Sequence, residues 1–136
     1  MTTLTPRLET RAQTDLKRAV SLIGAFAGRE QDAAVRDNFT RRAKDFPALV
    51  MTVGLAQALA FSQEKARKST PLAKAHQELL NQVAAILEVP EALSAVQDAN
   101  ALAYMHMTRR VLNAWTYHRR LALSILGEPT GNDHEN

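Results

Sequence analysis

The residues best suited to chemistry in this chain are the cations of its last third. Between Asp98 and Glu128 there is no acidic residue, but the interval contains four arginines and two histidines. A helical projection at about 100° per residue places six residues on or beside one exposed flank: Arg109, Asn113, Arg120, His106, Tyr117 and Arg110. Arginines pair with phosphates, and aromatic rings stack on unpaired bases. Since a solvated helix usually mixes both charge signs, this flank favours nucleic-acid contact over an ordinary solvated face.

Two further basic clusters flank the apolar stretch from Phe46 to Phe61, in which twelve of sixteen residues are apolar and none is charged. One cluster precedes the stretch and the other follows it: Arg41, Arg42 and Lys44, then Lys65, Arg67 and Lys68. The helix dipole explains cations after a helix but not before one, so the first cluster needs another reason. We predict phosphate contacts at eight residues: Arg41, Arg42, Lys44, Lys65, Lys68, Arg109, Arg110 and Arg120.

Other residues are predicted to have structural or interface roles. Trp115 lies on the apolar face by which the last helix docks on the bundle, a face that also includes Met105. Arg119 projects into the same face, where a buried guanidinium requires a carboxylate or a neighbouring subunit as its partner. Three arginines of the first helix lie within about 40° of one another and are weaker phosphate candidates or interface residues: Arg7, Arg11 and Arg18.

Catalytic and metal-binding chemistry finds little support in the sequence. Neither of the common glycine-rich phosphate loops, GxxxxGK[ST] and GxGxxG, occurs. The four histidines form no i, i+4 pair, there is no cysteine, and His76 lies beside an apolar stripe, as a satisfied half-buried histidine would. We therefore predict that the protein is not an enzyme and has no cofactor, no metal site and no small-molecule substrate.

The elements that must position these residues are helices, because apolar residues recur at helical spacing and strand signals are nearly absent. We predict a single-domain, all-α bundle of about five to six helices over residues 1–127, followed by a disordered acidic tail at 128–136. The predicted helices cover about residues 8–27, 31–44, 47–67, 71–87 and 100–126, with a short helix or turn at 91–99. The break before the third helix is assigned to Phe46–Pro47, since proline disfavours helix in the preceding residue. Gly54 inside that helix predicts close approach of a neighbouring helix.

Length and charge agree with a small intracellular domain. The chain has 136 residues and a formal net charge of +3. Residues 1–127 hold 17 basic and 11 acidic residues, or +6, because three carboxylates lie in the last nine residues. A basic body suggests a polyanionic partner. No secretory signal is visible, and the apolar stretch is shorter than the roughly 20 residues needed to cross a bilayer, so we predict a cytoplasmic protein without membrane contact.

Two motifs resemble the small subunit of the Cmr complex, the type III-B CRISPR–Cas effector that targets RNA. The first is Asp45-Phe46-Pro47 followed by the segment from Leu49 to Phe61, with its Gly-Leu-x-Gln-x-Leu-Ala-Phe core. The second consists of spaced residues in the last helix: Tyr104, Thr108, Trp115, Arg119 and Ala122. The resemblance covers about residues 8–126. Family members commonly carry a glutamate where this chain has Arg109 and Arg110, so the last helix is more basic here.

The resemblance implies a non-catalytic helical subunit whose copies stack along the effector. With other Cmr subunits, these copies would line the groove that holds the guide RNA–target RNA duplex and contact its backbone without sequence preference. Cleavage would belong to other subunits. Two alternatives remain at this point. One is a small helical subunit of another CRISPR effector type. The other is a freestanding helical nucleic-acid-binding adaptor, whose helix–turn–helix could only lie at Phe46–Pro47.

Overall fold

The computed structural model describes residues 4–127, with side chains from residue 11 onward. Within that range the chain forms six α-helices and no strand. They are α1 (Leu4–Arg29), α2 (Ala33–Val53), α3 (Leu55–Ala66), α4 (Pro71–Leu87), α5 (Ala92–Asp98) and α6 (Ala101–Leu126). The prediction of an all-α bundle with a long C-terminal helix is confirmed. The predicted tail at 128–136 and the side chain of Arg7 lie outside the described residues.

Polar caps define the start of four helices. The side chains of Asp32, Thr70, Glu91 and Asn100 each accept a hydrogen bond from a backbone N–H two or three residues ahead, at 2.8–3.1 Å. Such caps satisfy donors that have no partner within the helix. Thr70 is followed by Pro71 at the first helical position. The predicted start of α4 is therefore confirmed.

Side-chain bonds fix the relative directions of the long helices. Gln82 bonds His118 and the carbonyl of Ile86 bonds Arg110, so α4 and α6 run antiparallel. Glu78 of α4 pairs with Arg29 at the end of α1. Glu88, just after α4, lies 3.4–3.6 Å from Arg11 and Arg18, which come earlier in α1. Helices α1 and α4 are thus also antiparallel, and α1 runs parallel to α6. The ion pair between Asp15 of α1 and Arg110 of α6 places the first and last helices side by side.

An aromatic column fills the centre of the bundle. The ring of Trp115 stacks on that of His118, with 3.9 Å between centroids and 13° between planes. Phe46 meets Trp115 edge-on at 5.1 Å, and Phe39 lies 4.6 Å from Phe26. All five rings are at most 2% exposed. Trp115 therefore lies on the buried face of α6, at the centre of this column.

The predicted helix break at Phe46–Pro47 is wrong, because α2 continues through Pro47 to Val53. A proline inside a helix leaves the carbonyl four residues earlier without its usual N–H donor. That carbonyl belongs to Ala43, and it accepts a hydrogen bond of 3.1 Å from the buried indole Nε1–H of Trp115. Phe46, only 2% exposed, also holds this turn against the core. With no turn here, the helix–turn–helix alternative loses its only candidate position.

The break between α2 and α3 occurs instead at Gly54. Its backbone has φ +89° and ψ 160°, a conformation that is essentially restricted to glycine. A Cβ at this position would lie 3.1 Å from the hydroxyl of Tyr104 on α6, which accepts a hydrogen bond from the N–H of Ala56. The neighbour at Gly54 is thus the end of a side chain from α6. The apolar stretch Phe46–Phe61 spans two helices rather than one.

None of the helices within residues 4–127 is by itself long and apolar enough to span a membrane, although the bent pair α4–α5 meets the length and composition criteria when taken together.

Candidate nucleic-acid interface

The arginines of α6 do not all lie where the projection placed them. Arg109 and Arg120 are exposed, as expected for phosphate contacts. Arg119 is also exposed, so its predicted place in the apolar face is wrong. The inward position is taken by His118 instead, and one step of about 100° along the helix turns Arg119 towards solvent. Met105, assigned to the same docking face, is 51% exposed.

Arg110 is engaged inside the fold. Its Nε and Nη2 donate to the two carboxylate oxygens of Asp15 at 3.2 and 2.9 Å, and Nη2 also donates to the carbonyl of Ile86 at 2.8 Å. Asp15 is buried, so this bidentate pair joins α1, α4 and α6. Since its Nε and Nη2 already have acceptors and only 23% of its side chain is exposed, Arg110 is not placed with the cations available for phosphate contact.

Arg11 and Arg18 belong to the same junction. One carboxylate oxygen of Glu88 lies 3.4 Å from Arg11, 3.6 Å from Arg18 and 3.8 Å from Arg110. Glu88 follows α4 with a left-handed backbone, φ 60°. The alignment predicted for the α1 arginines thus brings two of them to one acceptor, while their interface role stays a prediction.

The basic segment of α2 lies beside the middle of α6. The hydrogen bond from the Trp115 indole to the carbonyl of Ala43 brings this segment of α2 next to the middle of α6, because Arg41, Arg42 and Lys44 are the chain neighbours of Ala43. Lys44 is exposed, whereas the two arginines are half-buried. The α2 cluster and the cation-rich stretch of α6 therefore occur at the same height of the bundle.

The end of α3 carries the third group of cations. The ammonium of Lys65 lies 5.5 Å from the ring centroid of Phe61, one turn earlier, in a cation–π contact. Arg67 pairs with Glu64 at 3.5 Å, and both are largely exposed. Lys68 is exposed in the turn after the helix. Lys65 and Lys68 thus remain available at this end of the molecule.

His118 is a buried polar residue whose place in the core was not predicted from the sequence. It is fully buried, and that burial lowers its pKa to about 3. Its Nε2 bonds Gln82 Oε1, the Gln82 amide donates to Glu78 at 2.7 Å, and Glu78 pairs with Arg29. The spacing could have revealed it, since residue 118 lies three positions after Trp115 on the same helical face.

The other buried histidine among the described residues is His76, whose Nδ1 lies 3.0 Å from the hydroxyl of Ser62. It is 1% exposed, so it is more deeply buried than predicted. Among the described side chains, no three histidine or carboxylate groups come together in a way that could hold a metal ion.

Comparison with known proteins matches residues 11–125 to the family described as CRISPR-associated protein (Cas_Cmr5). A relative named CRISPR system Cmr subunit Cmr5, from Thermus thermophilus, is 31% identical over 124 residues, covering 89% of this chain and all of that protein. The crystal structure of a CRISPR-associated Cmr5 family protein from the same organism is similar, with a TM-score of 0.68 and 30% identity over 85% of this chain and 96% of that one. The match extends from α1 to the end of α6, and by sequence and fold together this chain belongs to the Cmr5 family of small Cmr-complex subunits.

Proposed function

We propose that this Cmr5-family protein is a non-catalytic subunit of a cytoplasmic type III-B effector. Copies of the chain stack along one side of the complex with other Cmr subunits. The stack holds the guide and target RNA through phosphate contacts that do not depend on sequence. Pairing between guide and target supplies the sequence specificity, as in other RNA-guided effectors.

One observation carries the RNA part of this proposal. The Trp115–Ala43 hydrogen bond sets the basic segment of α2 at the height of a helix with no acidic residue between Asp98 and Gly127. Cations from separate helices at one height suit an extended polyanion better than a compact ligand. The proposed contact set contains seven residues: Arg41, Arg42, Lys44, Lys65, Lys68, Arg109 and Arg120.

Salt dependence tests the phosphate contacts. Each phosphate contact to a single strand contributes about −0.7 to the slope of log K against log salt, so seven contacts predict about −5. The double variant Arg109→Gln and Arg120→Gln should bring the slope of oligouridine binding to about −3.5. A charge-matched control removes Lys17 and Arg67, which are exposed but outside the proposed set.

The two double variants have the same net charge, so a difference between their salt slopes reports direct contacts with phosphates and not the overall charge of the protein. The proposal expects the control to keep a slope near that of the unaltered chain. Equal losses in both doubles, or a flat salt dependence of the unaltered chain, would contradict the proposed contacts.

The assembly part of the proposal is tested by purification. A tagged chain expressed in its host should recover the other Cmr subunits, further copies of itself and guide RNA. After ribonuclease treatment the protein partners should remain, because stacking rests on protein surfaces. Recovery of the chain alone, under conditions that keep the other subunits together, would refute membership of the stack.

A further inference from the structure

An open groove of about 400 Å³ lies between α2, α3 and α4. Among its lining residues, Phe46 and Leu79 are buried and apolar. Asp45 and Phe61 are exposed and Arg42 is half-buried, so these three lie towards the rim. The groove therefore combines an apolar surface with charged groups of both signs. It also joins two of the basic clusters, since Arg42 belongs to one and Phe61 touches Lys65 of the other.

Phe61 is the unusual residue of this groove. It closes the family-like motif in the apolar stretch, but 46% of it is exposed. The ring of His76 packs against it at an angle of 78°, with 5.7 Å between centroids. His76 is itself buried and bonded to Ser62, so it is a fixed support. The phenyl ring is thus held in place while nearly half of its surface faces solvent.

The chemistry around the ring selects among possible occupants. The ammonium of Lys65 lies over the Phe61 ring, 5.5 Å from its centroid, so a base that stacks on this face displaces it towards the phosphate of the same nucleotide. Asp45 can accept hydrogen bonds from amino groups on a base edge, and Arg42 can pair with a second phosphate. A purely aliphatic occupant would leave these rim charges unused. An aromatic platform beside cations is the arrangement by which proteins hold unpaired bases.

We infer that the groove binds an unpaired RNA base, which stacks on Phe61 while Lys65 and Arg42 engage the adjoining phosphates. This inference rests on the proposed function, because it requires RNA to reach these cations. It extends that function from contact with the backbone to capture of a single base. It also gives the exposed end of the apolar stretch a role in RNA binding.

The test separates stacking from backbone attraction. The full-length chain is titrated with two oligonucleotides of equal length and charge, one of oligouridine with a central 2-aminopurine and one of abasic ribose-phosphate. Phe61→Leu should weaken binding of the base-bearing strand about fivefold or more, which is the lower range for loss of one base–aromatic stack. The same variant should leave abasic binding within about twofold and remove the fluorescence quenching of 2-aminopurine. Phe61→Trp should retain both the affinity and the quenching.

Val20→Ala is the control for loss of exposed apolar surface, because Val20 is exposed to a similar degree, 44%, but lies on α1 away from the groove. Circular dichroism checks that each variant folds. If Phe61→Leu and Val20→Ala have equal effects, or if Phe61→Leu weakens both strands alike, the base site is refuted. If the abasic strand binds with the expected salt slope while Phe61→Leu has no effect, the backbone proposal survives and the base site fails. If neither strand binds, both fail.

Discussion

The hydrogen bond between Trp115 and Ala43 makes a proline tolerable inside a buried helix, and this leads to a quantitative prediction. Pro47 has no N–H to offer the carbonyl of Ala43, and the indole replaces that missing donor at 3.1 Å. Trp115→Phe keeps an aromatic ring in the core but removes the donor. The buried carbonyl then has neither a helical nor an indole partner.

The expected loss of stability has two parts. An unsatisfied buried carbonyl costs about 1–3 kcal/mol, and the smaller ring loses contacts worth about 1 kcal/mol. Trp115→Phe should therefore lower the free energy of unfolding by about 3 kcal/mol. Pro47→Ala supplies an N–H that can bond the same carbonyl within the helix. In that background, Trp115→Phe should cost about 1–2 kcal/mol less.

The assay is a double-mutant cycle measured by urea unfolding. Circular dichroism is the appropriate signal, because Trp115 is the only tryptophan and Trp115→Phe abolishes tryptophan fluorescence. Val111→Ala is the control: it also removes volume from the buried face of α6, but it has no hydrogen bond to lose. Its cycle with Pro47→Ala should be additive within about 0.5 kcal/mol. Additive behaviour of the Trp115 cycle as well would refute the proposed exchange of donors.

Two further predictions concern a buried imidazole and the break in the chain. Because burial lowers the pKa of His118 from 6.5 to about 3, the unfolded chain takes up this proton first as pH falls, so stability is full above about pH 6.5 and is lost progressively towards pH 3. The stability difference between the unaltered protein and His118→Gln should fall by about 2 kcal/mol between pH 7 and pH 5 in urea titrations, whereas parallel pH profiles would contradict it. Gly54→Ala combines a disallowed backbone conformation with a contact 3.1 Å from a tyrosine hydroxyl, while Gly127→Ala has the same φ of +89° in open space. Thermal unfolding should show the first to be more destabilising by about 1 kcal/mol or more, and equal losses would exclude the steric contribution.

The helical architecture was accessible from sequence because it depends on local patterns. The apolar spacing, the Thr70–Pro71 start and the long final helix all follow from neighbouring residues. The position of the second break was not accessible in this way. A proline normally ends a helix, but here Trp115, distant in the chain, supplies the missing donor. The break at Gly54 depends on a backbone conformation with positive φ, which the neighbouring residues do not predict.

The candidate site was likewise predictable only in part. Helical projection correctly predicted that Arg109 and Arg120 are exposed, because the direction of a side chain on a helix follows from its position in the sequence. The projection failed for Arg119 by a single position, because the polar His118 takes the inward place on α6. The engagement of Arg110 depends on Asp15 from the first helix, a long-range pairing that one sequence cannot reveal.

The chain of bonds from Arg29 to His118 has a consequence for the imidazole. The Gln82 amide donates through its nitrogen to the carboxylate of Glu78, so its oxygen must face the ring. An oxygen accepts and does not donate, so His118 carries its proton on Nε2 and keeps a lone pair on Nδ1. An ion pair at the surface thus selects one tautomer of a histidine in the core. Reversing the Gln82 amide would reverse that choice, and the charge on Glu78 keeps the amide from turning.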